Sequence, residues 1–166
     1  MARSFVVVAI IVSTFCFSSV LAARKAPTGV EIFSVVGKIY CDPCHFEFES
    51  RLSQPLEGVK VTLKCRKGDS NNVTYVKESR TDINGVYKIN VDGDHEEEVC
   101  EVNADATGKG ACSQVMANKS DRIVLTKNMG VSSLVRFVNP LGFMTQAIDS
   151  QCGNVFSELG LDKLDD

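Results

Sequence analysis

From Val59 to Cys65 the chain alternates without a break: Val59, Val61, Leu63 and Cys65 take one face, Lys60, Thr62 and Lys64 the other. A period of two marks a half-buried antiparallel strand. Glu31 to Cys41 is rich in β-branched and aromatic residues and reads as another strand. Further strands are predicted at Val73–Ser79, at Val86–Val91 with Tyr87, Ile89 and Val91 inward, and at Val99–Asn103, Arg122–Thr126 and Leu134–Val138. Turn residues separate them at Lys67-Gly68-Asp69-Ser70-Asn71, Asp82-Ile83-Asn84-Gly85 and Asp92-Gly93-Asp94. Asn84-Gly85 is expected to supply the positive-φ residues of a tight hairpin. At most one short helix is expected, within Gln146 to Leu159. The pattern predicts an all-β fold, an antiparallel sandwich or closed barrel of about seven strands.

One apolar run departs from this alternation. Phe5 to Phe17 is broken only by Ser13 and Thr14, follows Arg3 and leads to Val20-Leu21-Ala22. A basic start, a short apolar stretch and small residues at its end are the marks of a secretory signal peptide, so residues 1–22 are expected to be removed. The run is too short to span a bilayer, for which about 20 apolar residues are needed. Residues 23–29 then form an N-terminal linker, and residues 30–166 a single domain. The protein is expected to be secreted, in the extracellular space or cell wall, with no membrane attachment after signal removal.

Composition changes the picture mainly through cysteine. Of seven cysteines, Cys16 lies in the leader, leaving Cys41, Cys44, Cys65, Cys100, Cys112 and Cys152. An even number in an oxidising compartment reads as three disulfides, and spacing selects no pairing among them. The net charge of −3 becomes −4 once Arg3 leaves, with acidic and basic residues well mixed. No basic stripe interleaved with aromatics is present, which argues against nucleic acid as a partner.

Candidate chemistry is sparse. Cys41-Asp42-Pro43-Cys44 has the spacing of a redox dithiol or half a zinc site. Redox use calls for a helix opening at the first cysteine, whereas Pro55, Gly58 and alternating strands follow. Zinc calls for a second ligand pair; there is no other C-x-x-C, and His45 and His95 do not form one. Structural half-cystines are the better account. Asp82-Ile83-Asn84-Gly85 and Asn90-Val91-Asp92-Gly93-Asp94 lack the glycine and glutamate spacing of a helix-flanked calcium loop and read as turns. Glu96-Glu97-Glu98 reads as a solvated strand entrance. No G-x-S-x-G elbow exists, and no carboxylate pair stands out for glycoside cleavage. Two sequons, Asn72-Val73-Thr74 and Asn118-Lys119-Ser120, mark Asn72 and Asn118 as expected N-glycosylation sites.

Gly37-Lys38-Ile39-Tyr40-Cys41-Asp42-Pro43-Cys44 resembles the signature of the pollen Ole e I family, the pollen-allergen and extensin-like secreted proteins of plants. Gly37, Tyr40, Cys41, Asp42 and Cys44 carry it; His45 departs from it, an arginine being common there. The resemblance continues through Gly58-Val59-Lys60-Val61, Thr81-Asp82, Gly85-Val86-Tyr87, His95 to Cys100, Leu125-Thr126-Lys127-Asn128 and Val138 to Phe143. It implies a seven-stranded antiparallel β structure and the pairing Cys41–Cys112, Cys44–Cys152 and Cys65–Cys100. Cys41 and Cys44 would then have different partners. It also implies a non-enzymatic, allergen-like extracellular glycoprotein that acts in pollen or tissue growth by binding a receptor ectodomain or a wall component. No cofactor or metal is expected, and a monomer is. A secreted small-ligand carrier, or a wall-modifying enzyme, is the alternative; a carrier requires a large, dry, apolar cavity.

Overall fold

The computed structural model describes residues 31–68, 70–105, 110–116 and 120–163. The expected leader and linker lie outside these residues. Among these residues are ten strands: β1 (Ile32–Asp42), β2 (Gln54–Pro55), β3 (Lys60–Lys67), β4 (Val73–Arg80), β5 (Val86–Asp92), β6 (Glu98–Ala104), β7 (Cys112–Val115), β8 (Ser120–Ile123), β9 (Val135–Phe137) and β10 (Leu141–Thr145). A helix, α1 (Cys152–Glu158), and a 3₁₀ turn at Leu161–Lys163 follow.

The strands form two sheets, a sandwich rather than a closed barrel. β1 is the spine of the first. Its N-terminal half pairs antiparallel with β5, from Ile32 opposite Asp92 to Lys38 opposite Val86, and parallel with β9. Its C-terminal half pairs antiparallel with β2 and parallel with β10, which in turn pairs with β7. The second sheet runs β4-β3-β6-β8 and is antiparallel throughout. The alternation of β3 is obeyed: Val61, Leu63 and Cys65 are buried, and face Ala104, Val102 and Cys100 of β6. Phe33, Val35 and Ile39 of β1, with Tyr87, Ile89 and Val91 of β5, fill the space from the other side.

Three differences from the sequence reading have physical causes. The strands beyond the expected seven are β2, β7 and β10. Leu141, Gly142 and Phe143 of β10 are buried in succession, so the strand has no polar face to reveal it. The strand expected over Arg122–Thr126 ends at Ile123, because the carbonyls of Val124 and Thr126 accept bonds from the buried Arg136 guanidinium instead of a neighbouring strand. The Asn84-Gly85 turn does not close a hairpin: β4 and β5 belong to different sheets, and only Gly85 has positive φ, 72°. Asp82 organises this crossing, its Oδ1 accepting the backbone N–H of Asn84 and Val86 at 2.9 Å each.

Candidate functional site

The residues of the Gly37–Cys44 segment each have a structural task. Gly37 lies directly opposite Tyr87, and a Cβ there would fall inside van der Waals contact of the tyrosine ring and hydroxyl. Tyr40 lies opposite Gly142 on β10, whose missing side chain leaves room for the Tyr40 ring and the Met116 thioether. Burial, with Asp42, Glu49 and Glu47 nearby, pushes the Tyr40 hydroxyl up to about 12. Cys41 is bonded to Cys112 and Cys44 to Cys152, while Cys65 is bonded to Cys100.

Asp42 is fully buried and sets the path of the loop that follows. Its Oδ1 accepts the Cys44 N–H and its Oδ2 the Glu47 N–H, both at 2.9 Å. A buried carboxylate holding two backbone donors fixes the local geometry strongly. His45 and Glu47 adopt left-handed φ of 59° and 62°, uncommon for residues with side chains. The His45 ring compensates by donating from Nε2 to the Thr145 carbonyl at 2.7 Å.

The strapped loop meets α1. Phe46 stacks on Phe48 at 5.5 Å between centroids and reaches Phe156 at 6.1 Å. Arg51 grips Glu158 with two bonds, of 2.8 and 3.0 Å, which hold the Glu158 carboxyl below the usual carboxylate range. Phe48 and Phe156 remain 42% and 38% exposed, so one end of the sandwich shows an aromatic cluster to solvent. Two open grooves, of about 450 and 420 Å³, adjoin this loop: one contains Tyr40, Glu47, Asp121 and Asn139, the other Pro43, Leu52, Gln54 and Gln151.

The other singled-out residues are elsewhere. Asn72 is exposed just before β4, and its sequon partner Thr74 donates to the Cys65 carbonyl at 3.0 Å. Asn118 lies outside the described residues. The acidic segment is more structured than a solvated face: Asp94 Oδ2 accepts the Thr126 hydroxyl at 3.1 Å, and Glu96 accepts the Asn128 amide at 2.6 Å. His95 Nδ1 lies 2.5 Å from Glu98 Oε2. Sequence reading missed Arg136, which is buried over the Phe33 ring at 5.1 Å and held by four backbone carbonyls. It also missed the Phe46–Phe48–Phe156 cluster, in which Phe156 is remote in the chain from the other two until the Cys44–Cys152 bridge joins them.

Fold and site together define a disulfide-stapled β-sandwich that displays a rigid loop surface. The chain belongs to the family of Ole e 1-like pollen proteins, whose model matches residues 31–160. It is 41% identical to the Olee1-like protein of Betula pendula, over 97% of this chain and 96% of that protein. It is 38% identical to the anther-specific protein LAT52 of Solanum lycopersicum, over 92% and 94% of the two chains. The crystal structure of the major plantain pollen allergen Pla l 1 superposes with a TM-score of 0.64 at 31% identity, covering 74% of this chain and all of that one. No helix among the described residues is long and apolar enough to cross a membrane.

Proposed function

We propose that this is a secreted, N-glycosylated, non-enzymatic protein of pollen or other growing tissue. It acts by recognising an extracellular protein, such as a receptor ectodomain, or a wall component. The observation that carries this reading is the Phe46–Phe48–Phe156 cluster, set on a loop anchored by Asp42 and the Cys44–Cys152 bridge. Exposed aromatics on a preorganised frame provide contact area at a reduced ordering cost, and Phe is among the residues enriched at interface cores. All six cysteines of the domain are in disulfides, and both histidines are engaged in structural bonds, which supports a role without catalysis. The carrier alternative loses its premise, since the space between the sheets is filled by Phe33, Leu63, Tyr87, Ile89 and their neighbours.

The test is affinity capture from plant extracellular fluid with the glycosylated mature protein, alongside a Phe46→Ala/Phe48→Ala variant of unchanged melting behaviour. A partner retained by the parent and lost about tenfold by the variant supports the reading. Equal retention by both, or reproducible turnover with no specific partner, overturns it.

A further inference from the structure

Near the Lys67–Glu98 end of the β3–β6 ladder, in the middle of the second sheet, two sulfurs, an imidazole and a carboxylate converge. Cys65 and Cys100 are directly opposite in the ladder, and Glu98 lies two residues before Cys100 on the same strand. His95 is placed by its N–H to the Leu125 carbonyl at 2.9 Å, and by Tyr75, opposite Cys65, whose ring centroid is 4.8 Å from that of His95. One potential ligand atom from each of Cys65, His95, Glu98 and Cys100 lies within 4.8 Å of all the others. While the Cys65–Cys100 bond is intact there is no thiolate, and the cluster is not a metal site.

We propose that reduction of Cys65–Cys100 by a dithiol turns this cluster into a closed zinc site with two thiolates, one imidazole and one carboxylate. The dithiol gives up two electrons and two protons and leaves as its own disulfide; each cysteine becomes a thiol, and Zn²⁺ displaces both thiol protons on binding. That donor set is one zinc takes in four-coordinate sites. Ligand atoms about 2.0–2.3 Å from a tetrahedral zinc are about 3.3–3.8 Å apart, so closure needs movements of about 1 Å.

The fold keeps these thiols together after the bond is cut. The β3–β6 ladder runs from Val61 opposite Ala104 to Lys67 opposite Glu98, with Leu63 and Val102 buried on the same face. The other bridges lack such support. Cys41 and Cys112 are on strands separated by β10, and Cys44 and Cys152 are on a loop and at the start of a helix. His95 and Glu98 are less buried than the sulfurs, so the metal approaches from their side, at the end of the ladder.

The full chain secreted from a eukaryotic host is reduced with a phosphine, in place of a dithiol that would compete for metal. It is then alkylated with and without one equivalent of Zn²⁺, and each cysteine is read by peptide mass spectrometry. Zinc is expected to slow alkylation of Cys65 and Cys100 about tenfold relative to the other four cysteines, with the sheet's far-ultraviolet signal retained. Co²⁺ in place of zinc is expected to give a thiolate charge-transfer band. His95→Ala and Glu98→Gln, checked as folded when oxidised, are expected to lose the protection. Alkylation that ignores zinc, protection that survives in both variants, or a lost sheet signal that zinc does not restore would each overturn the proposal.

Discussion

Gly37 and Tyr87 show how a single side chain's absence shapes the frame. They face each other across β1 and β5, and the ring fills the space above the glycine. Gly37→Ala is expected to lower unfolding free energy by about 1–3 kcal/mol through overpacking, read as a lower denaturant midpoint at unchanged slope. The Tyr87 hydroxyl is different: it is buried without a hydrogen-bond partner among the described residues, and burial, with Asp121 nearby, pushes its pKa up. Tyr87→Phe is therefore expected to leave stability unchanged or slightly higher, since it removes an unsatisfied polar atom. Asp42→Ala takes the acceptor from two backbone donors and should cost about 1–3 kcal/mol for each N–H left buried. At Glu98, burial raises the carboxyl pKa, but the bond from His95, with Thr74 and Lys67 nearby, outweighs it and leaves the group below its ordinary value. A depressed folded pKa adds stability that is present above the unfolded value and lost as pH falls through the folded one. Acid unfolding curves should therefore show the parent ahead of Glu98→Gln above the ordinary glutamate pKa of about 4.3, with the advantage shrinking as pH falls below it.

Elements depend on partners that local sequence does not name. Arg136, from the short edge strand β9, bonds the carbonyls of Val124 and Thr126 and ends β8 early. Arg136→Ala should leave these acceptors unpaired and destabilise by about 1–3 kcal/mol, with faster hydrogen exchange over residues 124–128 and 133–137 as the specific sign. The Cys44–Cys152 bridge plays the corresponding part at the recognition end. Replacing both cysteines by serine should cost about 2–4 kcal/mol and speed exchange over residues 43–52 and α1, leaving the β3–β6 ladder protected. Legibility followed solvent contact. β3 alternates because one face is wet, so its inward residues could be read directly. β10 is buried on both faces and β2 is two residues long with a proline, so neither carried a period. Asn84-Gly85 was legible as a turn, but whether it joined partners in one sheet or crossed between two depended on the twist and stacking of both.

At the scale of the whole molecule, the filled sandwich leaves function to its surface and edges. The aromatic end combines Phe46 and Phe48 with Phe156, across more than a hundred residues of chain. The cluster at the end of the β3–β6 ladder likewise draws on a strand, a turn and a facing strand. The amino-acid sequence by itself determined the all-β class, the inward faces of the half-wet strands, the turn positions and the even cysteine set, because each is a local pattern of solvent preference or backbone freedom. Resemblance added the family and an expected cysteine pairing. Only the tertiary structure decided that the sheets stack without closing, that Gly37 exists for Tyr87, and that Arg136 ends β8. Only it could place Cys65, Cys100, His95 and Glu98 within reach of one atom. These depend on distances between residues remote in the chain, which a one-dimensional pattern does not contain.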